Sequence, residues 1–355
     1  MVGCLKKLRE TLRGTKVYPR LLRLKRAAYR VKRIGRRRGA NHPERFCLVP
    51  WTESCILSDG TVVCGCYDGL ALVPLGDVNR KSFSEVWNGR RYRSLRRKML
   101  LGPETMYLCA ECPFAMERNV AVRDAGGFSD RAESFPKRLH IEPTVRCNLR
   151  CLACGRDMAA RSRRRADMPF DLFEKVVKET GPRLSYLNLY DYGESFLHPR
   201  IFDMIRFAKQ VNPDLTVIVS TNGIPLHTEQ RRAELISSGC DEVIFSVDGA
   251  SAETYSQYRV GGDFDRVIAN MRELVAERNR RGTDTPRVVW RYILFVWNDS
   301  DGEMNRARAL AKDIGVDWFC WMTTTTPPDG YSRRFAPGTP DYESIRHEMF
   351  PSVLS

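Results

Sequence analysis

Short apolar runs alternate with longer amphipathic runs through the C-terminal part of the chain. The apolar runs predict strands buried on both faces, because a half-exposed strand would alternate polar and apolar residues. These strands are predicted at residues 138–143, 186–190, 215–220, 242–247, 288–296 and 316–322. The amphipathic runs predict helices at residues 170–179, 201–210, 229–238, 264–280 and 302–314. Six β/α units are too few for an eight-fold barrel, so the predicted fold is α/β, an open, partial (β/α)6 TIM-like barrel.

Polar residues or cysteines follow four of the predicted strands, at the end that leads towards the next helix. The first strand runs into a group of cysteines, the second ends at Gly193-Glu194, the third at Asn222 and the fourth at Ser246. The carboxyl ends of parallel strands converge on the active site in β/α barrels. These residues are therefore predicted to lie together at one end of the barrel.

The cysteine group has the spacing Cys147-x3-Cys151-x2-Cys154. Structural zinc sites usually take four ligands in paired blocks, so a triplet without a fourth neighbour fits such a site poorly. The triplet suits a cubane iron–sulfur cluster in which one iron stays open to a substrate or cofactor. The alternative is that the three cysteines are core residues or zinc ligands.

Residues 138–322 resemble the core of the radical S-adenosylmethionine (SAM) superfamily. After the cysteine triplet, the residues that carry the resemblance are Gly193-Glu194, Thr221-Asn222-Gly223, Ser246-x-Asp248-Gly249, Tyr255, Arg259 and Gly261-Gly262-x-Phe264. The resemblance implies a [4Fe–4S] cluster held by three thiolates, with SAM chelating the fourth iron. One electron from a flavodoxin- or ferredoxin-type donor would then cleave SAM to methionine and a 5′-deoxyadenosyl radical, which takes a hydrogen atom from the substrate.

The same resemblance implies the residues that contact SAM. Glu194 and the backbone beside it, at Gly193, would accept hydrogen bonds from the SAM amino group. Arg259 would pair with the SAM carboxylate, since its planar guanidinium suits a bidentate contact. Ser246 and Asn222 would bond ribose or carboxylate oxygens. Ordinary surface or turn roles are the alternatives for these four side chains.

Residues 41–115 form a separate cysteine-rich region, in which Asp59-Gly60 between β-prone runs predicts a hairpin. The region resembles the SPASM/twitch auxiliary iron–sulfur domain of the same superfamily. The resemblance implies one auxiliary [4Fe–4S] cluster with four thiolate ligands: Cys47, Cys66, Cys109 and Cys112. Cys66 is favoured over Cys64 because it precedes a Tyr-Asp pair. Zinc bound by the same thiolates is the alternative, because ligand count does not separate the two metals.

The auxiliary region precedes the barrel here, whereas in the family it normally follows it. The predicted organisation is therefore a small N-terminal SPASM/twitch-like domain at 41–115, a linker at 116–137, the barrel at 138–322 and a tail at 323–355. The tail either closes over the active site or is a disordered end. Cys320, on the sixth predicted strand, is a weak candidate for a catalytic thiol that returns a hydrogen atom to a substrate radical.

The positive charge of the chain is concentrated at its N-terminus. The net charge is +15, and residues 1–46 hold sixteen Lys and Arg against two acids. Residues 1–40 are predicted to form a basic amphipathic arm, divided at Pro19, that binds an anionic membrane surface or an acidic partner, or is simply solvated. The rest of the chain is almost neutral, so nucleic acid is an unlikely partner.

No apolar run is long enough to predict a membrane span, and no signal peptide is visible. The expected location is the cytoplasm, with peripheral membrane contact through the arm as a further expectation. In a reducing compartment the twelve cysteines indicate metal or redox ligands more than disulfides.

Three functions follow from the sequence. The first is a radical SAM enzyme that modifies a peptide or protein side chain. The second is a sugar or aminocyclitol dehydrogenase or epimerase of the same superfamily, so the expected substrate is peptide- or carbohydrate-like. The third is a non-catalytic iron–sulfur or zinc binding protein, which the intact triplet and Glu194 argue against.

Overall fold

A computed structural model of the protein describes residues 46–65, 68–110 and 128–350. Their strands form a mixed sheet with the order β3-β2-β1-β4-β5-β6-β7-β8-β9, which is open at both edges. The bounds are β1 Glu53–Ile56, β2 Thr61–Val63, β3 Gly76–Asp77, β4 Arg138–Ile141, β5 Tyr186–Leu189, β6 Thr216–Thr221, β7 Glu242–Ser246, β8 Arg287–Ile293 and β9 Trp318–Met322. Strands β4 to β9 pair in parallel, each with the next. The predicted partial barrel is confirmed.

The end of β8 differs from the prediction, which extended this strand to residue 296. The strand stops at Ile293 because the side chain of Asn298 binds the chain just beyond it. Its Nδ2 donates to the carbonyl of Ile293 at 3.0 Å, and its Oδ1 accepts from the amide of Phe295 at 2.6 Å. These bonds turn the chain away from the sheet towards the next helix.

The helices beside the parallel strands lie within one or two residues of the predicted ranges. The helices of residues 138–350 are α5 Arg156–Ser162, α6 Phe170–Thr180, α7 Ile201–Val211, α8 Glu229–Ser237, α9 Ala252–Tyr258, α10 Phe264–Arg280, α11 Asp301–Ile314 and α12 Pro340–Ser344. Side-chain oxygens of Thr228, Asp263 and Ser300 cap the starts of α8, α10 and α11. Such caps satisfy amides that a helix start leaves without an internal partner.

The N-terminal cysteine-rich region continues the sheet of the barrel. Its helices are α1 Val49–Thr52, α2 Phe83–Trp87, α3 Arg90–Leu100 and α4 Tyr107–Ala110. Strands β1 and β2 form the predicted hairpin, with Gly60 at φ +86° in the turn. Strand β1 also pairs in parallel with β4, so that Cys55 lies opposite His140. The two regions that the sequence separates therefore share one sheet.

The contact between the two regions is buried and contains both apolar and polar groups. The aromatic rings of Trp87 and Tyr92 pack in the same core as the helices of the barrel. Arg96 is buried against both rings and donates from Nε to the carbonyl of Pro50 at 2.9 Å. The carboxylate of Glu179, on α6, accepts hydrogen bonds from the first two amides of α2 at 2.7 Å each.

Alternate residues of the parallel strands face the interior of the barrel, as the two-residue period of a strand requires. One interior layer is buried and apolar and contains Ile218, Ile244, Val289 and Cys320. Two residues further along β6, β7 and β8, the next layer contains Ser220, Ser246 and Arg291. This change from apolar to polar residues forms the floor of a cavity at the carboxyl ends of the strands.

The described part of the tail packs beside β9. The amide of Phe350 donates to the carbonyl of Trp321 at 2.7 Å, and its ring stacks on Trp318. The tail therefore contacts the edge of the sheet at Phe350. The predicted arm, residues 1–40, lies outside the described residues. Within the described ranges, no helix is long and apolar enough to cross a membrane.

Candidate active site

A cavity of about 430 Å³ lies at the carboxyl ends of the parallel strands. All residues predicted to hold the first cluster and SAM line it: Cys147, Cys151, Cys154, Gly193, Glu194, Asn222, Ser246 and Arg259. They come from loops after four different strands and are up to 112 residues apart along the chain. The fold therefore brings this predicted set together.

The cysteine loop follows β4 and is held in place by backbone hydrogen bonds to the segment after α9. The amide of Arg150 donates to the carbonyl of Val260, and that of Leu152 to Tyr258, both at 3.0 Å. Cys147 and Cys151 are half-buried, and Cys154 is exposed. All three thiols thus border the open end of the cavity.

The surroundings of the cysteines fit a four-iron cluster. The amide Nδ2 of Asn222 lies 3.9 Å from the sulfur of Cys147, and Nη1 of Arg259 lies 3.7 Å from the sulfur of Cys151. Donors of this kind stabilise cluster-bound thiolates. Among the described residues, no three His, Cys, Asp or Glu side chains converge on one metal ion. In a cubane each thiolate binds a different iron, so such convergence is not required.

Without iron the thiol of Cys147 is predominantly neutral, because burial raises its pKa to about 11. Metal cations that bind thiolates would provide the positive charge that ionisation needs.

Gly193 occupies a position that only glycine can take. Its φ is +92°, and a Cβ there would lie 2.2 Å from the carbonyl oxygen of Thr144 and 2.9 Å from that of Arg146. The amide of the next residue, Glu194, donates to the carbonyl of Arg146 at 2.7 Å. The turn after β5 is therefore packed directly on the start of the cysteine loop.

The Glu194 carboxylate is buried at the centre of a small hydrogen-bond network. It accepts bonds from Oγ1 of Thr221 at 2.9 Å, from the amide of Asn222 at 2.6 Å and from the amide of Phe196 at 3.2 Å. Burial raises the pKa of Glu194 to about 7, although these donors act in the opposite direction. The side chain is thus fixed in position and close to its titration point at neutral pH.

Arg259 forms a buried ion pair with Asp248, with 2.5 Å between Nε and Oδ2. The other oxygen of Asp248 accepts from the amide of Ile293 at 2.7 Å. Burial disfavours the charged guanidinium, but Asp248 and Cys151 outweigh burial and raise the pKa of Arg259. The pair holds Arg259 against the cysteine loop and compensates its charge.

Asn222 and Ser246 already have protein partners. Nδ2 of Asn222 donates to Oδ1 of Asn148 at 2.9 Å. The hydroxyl of Ser246 accepts from Nη2 of Arg291 at 2.6 Å. Arg291 lines the cavity and was not predicted from the sequence. The available signal was a single charged residue inside the predicted apolar run 288–296.

Tyr192, which directly precedes Gly193-Glu194 at the end of the second strand, also lines the cavity. A Cβ on Gly155 would lie 2.8 Å from the Tyr192 hydroxyl, and a Cβ on Gly69 would lie 2.2 Å from its ring. Gly155 directly follows the cysteine triplet, and Gly69 belongs to the auxiliary region. The ring of Tyr192 therefore fills the space between the two cysteine-rich segments.

Cys320 does not line the cavity and lies one layer deeper in the barrel. Its thiol is 3.7 Å from the carbonyl oxygen of Trp290, and burial raises its pKa to about 12. A role for Cys320 as a hydrogen-atom donor stays a prediction.

The auxiliary cysteines are only partly described. Cys47 is buried, and Cys64 and Cys109 are half-buried. Cys66 and Cys112 lie outside the described residues. The predicted four-thiolate set, and the choice of Cys66 over Cys64, therefore stay predictions.

Comparison with family models gives two matches. Residues 141–295 match the Radical SAM superfamily, and residues 47–113 match SPASM, an iron–sulfur cluster-binding domain. The matches imply a [4Fe–4S] cluster and SAM at the barrel and an auxiliary cluster in the N-terminal region. The auxiliary domain precedes the core, as the sequence predicted.

Curated relatives match part of the chain. The tungsten-containing aldehyde ferredoxin oxidoreductase cofactor-modifying protein of Pyrococcus furiosus is 32% identical over 187 residues, 51% of this chain and 49% of that protein. The AdoMet-dependent heme synthase of Methanosarcina barkeri is 27% identical over 217 residues, 61% of this chain and 58% of that protein. The mycofactocin maturase MftC of Mycobacterium ulcerans is 30% identical over 146 residues, 40% of this chain and 37% of that protein. The chain spans about half the length of the first two relatives.

Among solved structures, Streptococcus suis SuiB bound to S-adenosylmethionine is similar to this chain. The TM-score is 0.43 with 17% sequence identity, covering 53% of this chain and 40% of that one.

Proposed function

This chain belongs to the radical SAM superfamily, and from that premise we propose that it is an enzyme that cleaves SAM reductively and modifies a peptide or protein side chain. The observation that carries the proposal is the convergence of the cysteine triplet, Glu194 and Arg259 on one cavity. When bound, the cluster and SAM supply the electron transfer and the radical that takes a hydrogen atom from the substrate.

The residues of the chain provide position and shelter for this chemistry. The three thiolates would hold the irons, and Asn222 and Arg259 donate towards two of the sulfurs. Glu194 would accept a hydrogen bond from the SAM amino group, because its carboxylate lines the cavity and is fixed by three donors. The walls of the cavity would exclude bulk water from the reacting groups.

The relatives support the reaction class more than a particular substrate. Their names describe cofactor modification, heme synthesis and mycofactocin maturation. A peptide substrate is supported by the SPASM match together with the relative named as a maturase. The basic arm at residues 1–40 would suit an acidic leader segment or an anionic surface. A flavodoxin- or ferredoxin-type protein would donate the electron.

A carbohydrate-like substrate is the second candidate, and one observation favours it. The SPASM match ends at residue 113 and includes cysteines for one auxiliary cluster. A short auxiliary domain with one cluster fits a sugar or aminocyclitol dehydrogenase or epimerase. In this reaction an alcohol carbon of the substrate would be oxidised by two electrons with loss of two hydrogens, and the cluster that the auxiliary cysteines would hold could supply an acceptor for the second electron. The product would be a ketone or aldehyde.

Anaerobic reconstitution tests the proposal. The wild-type protein should hold about eight irons, from two four-iron clusters, and release 5′-deoxyadenosine with dithionite and SAM. A variant with Cys147, Cys151 and Cys154 all changed to Ala should hold about four irons and release none. A matched Cys240→Ala variant, which removes a buried thiol outside the cavity, should behave like wild type. Wild-type protein that loads iron and never yields 5′-deoxyadenosine would favour the non-catalytic binding protein.

A further inference from the structure

The arginines that line the cavity differ in how their charges are compensated. Arg259 pairs with Asp248, and Arg156 lies 2.9 Å from a carboxylate oxygen of the next residue. Arg150 is exposed to solvent. Arg291 lines the same cavity and has no acidic partner among the residues that the structure describes. The cavity therefore contains one sheltered positive charge without a matching negative charge.

Two serines orient the guanidinium of Arg291. Its Nη2 donates to the hydroxyl of Ser246 at 2.6 Å and lies 3.3 Å from the hydroxyl of Ser220. The ring of Phe350, from the tail, lies 5.7 Å from the guanidinium carbon. The Nε of Arg291 is buried and has no hydrogen-bond partner within the described ranges. The guanidinium of Arg291 therefore has donor capacity that the described protein groups around it do not use.

Among the residues predicted to contact SAM, Arg291 contacts Ser246 in the part of the chain that the structure describes. The amino-acid part of SAM must reach the open iron, beside the cysteine loop. Asn222 and Arg259 are the side chains that contact the cysteine sulfurs. Arg291 lies on β8 and contacts Ser220, Ser246 and the tail, and the described residues show no contact of its side chain with the cysteine triplet. The methionine carboxylate is therefore the competing ligand for this charge, and the comparison of SAM with decarboxylated SAM below separates the two.

We propose that Arg291, oriented by Ser246 and Ser220, binds a carboxylate group of the substrate. The inference rests on the function proposed above and narrows its substrate class to molecules with a carboxylate near the reacting carbon, such as an acidic side chain or a C-terminus. One guanidinium compensates one carboxylate, whose two oxygens match its planar set of donors. A phosphate dianion would need further cations, and the other sheltered arginines of the cavity are already paired.

Binding of a matched pair of probes tests the inference. The α-amides of N-acetylglutamate and N-acetylglutamine differ mainly in one carboxylate, and their affinities for reconstituted, SAM-loaded protein can be measured by anaerobic calorimetry. Wild type should prefer the acid by about tenfold or more, the scale of a charge-assisted hydrogen bond. Arg291→Gln should remove the preference, and Arg291→Lys should retain part of it. Equal binding of both probes to wild type, or a preference that persists in Arg291→Gln, would overturn the inference.

The control is Arg287→Gln, on the same strand at the opposite end of the barrel, where Arg287 pairs with Glu242. This variant should keep the full preference for the acid. A second measurement compares SAM with decarboxylated SAM. If Arg291→Gln weakened binding of SAM but not of decarboxylated SAM, Arg291 would hold the methionine carboxylate and the inference would be wrong. Release of 5′-deoxyadenosine by wild type is assayed separately, so failure of the proposed function is recognised independently.

Discussion

Arg163 holds Glu142 through two hydrogen bonds, from Nε to Oε2 at 2.7 Å and from Nη2 to Oε1 at 2.9 Å. The side chains are 1% and 0% exposed. The same Nη2 donates to the carbonyl of Gly69 at 2.6 Å, and Oε2 accepts from the amide of Ser58 at 3.0 Å. Burial disfavours the charged guanidinium, but Glu142 outweighs it and raises the pKa of Arg163. This pair thus joins the barrel to the auxiliary region.

Removing one partner of this pair should destabilise the protein strongly. Arg163→Ala leaves Glu142 as a buried charge without compensation, so the free energy of unfolding should fall by about 3–5 kcal/mol. Arg272→Ala is the control, because Arg272 and Asp313 form an ion pair with side chains 46% and 64% exposed. That change should lower stability by about 1 kcal/mol or less. Urea unfolding of both variants measures the difference, and equal losses would contradict the structural role of the buried pair.

Gly193→Ala should disrupt the turn between β5 and the cysteine loop. The added Cβ would overlap the carbonyl oxygen of Thr144 at 2.2 Å, in addition to the strain of a φ of +92°. The control is Gly282→Ala, where φ is +66° and nothing lies within 4 Å of the added Cβ. In the control, the free energy of unfolding should fall only by the cost of positive φ for alanine, about 1–2 kcal/mol. In Gly193→Ala it should fall further, and this variant should also bind SAM more weakly. Thermal unfolding and equilibrium dialysis with SAM distinguish the two effects.

SAM binding should depend on pH through Glu194. Its pKa is raised to about 7 by burial, and the ionised carboxylate accepts a hydrogen bond from the SAM amino group more strongly than the neutral acid does. The ionised fraction rises from about a tenth at pH 6 to about nine tenths at pH 8, so affinity should rise about tenfold over this range. Glu194→Gln should bind SAM weakly, and its SAM affinity should not show the rise between pH 6 and pH 8. Equilibrium dialysis with labelled SAM at several pH values measures the affinity of both proteins. The same change of affinity with pH in wild type and Glu194→Gln would refute the assignment of this pH dependence to Glu194.

The same carboxyl group should also affect the stability of the iron-free protein. Its folded pKa lies above the ordinary value of 4.5, so the folded chain binds the proton more tightly than the unfolded chain does. The stabilisation by this group is therefore present below about pH 4.5 and is lost as pH rises through about 7, by an amount of order 3 kcal/mol. Urea unfolding of wild type and Glu194→Gln at pH 5 and pH 8 isolates the contribution of Glu194 to the free energy of unfolding. If this free energy fell more between pH 5 and pH 8 in the variant than in wild type, the predicted direction of the effect would be wrong.

The choice between Cys66 and Cys64 as an auxiliary ligand can be decided by iron content. Cys66→Ala should lower iron from about eight to about four atoms per chain, whereas Cys64→Ala should retain about eight. Zinc in place of iron in the wild-type protein would show that the four thiolates form a structural zinc site. Metal analysis of anaerobically reconstituted protein gives both answers. The reverse pattern would assign Cys64 as the ligand.

The predictions from sequence succeeded where the fold follows from local pattern. Helix α10 has the predicted bounds because an apolar stripe and the cap at Asp263 act within one stretch of chain. Glu194 and Asn222 were predicted to meet because parallel strand ends lie at one edge. The structure places the amide of Asn222 2.6 Å from the Glu194 carboxylate.

Other features depend on contacts that no local pattern contains. The inward direction of Arg291 is set by the register of β8, and a shift by one residue would turn it to the outer face. The contacts of the Tyr192 ring were not predicted because they involve Gly69 and Gly155, which are 86 positions apart in the sequence. The pairing of β1 with β4 was missed because strands of four residues carry little periodic signal.

The parallel pairing of β1 with β4 has a consequence during protein synthesis. Ile56 lies opposite Ile141, so the ribosome must add about 85 residues before β1 can meet its partner. At roughly 5–20 residues per second, this interval is about 4–17 seconds. Until then β2 satisfies one edge of β1, and the other edge is open to pairing with another nascent chain. Slow translation across residues 57–141 should therefore increase aggregation during expression, even though the finished sheet buries that edge.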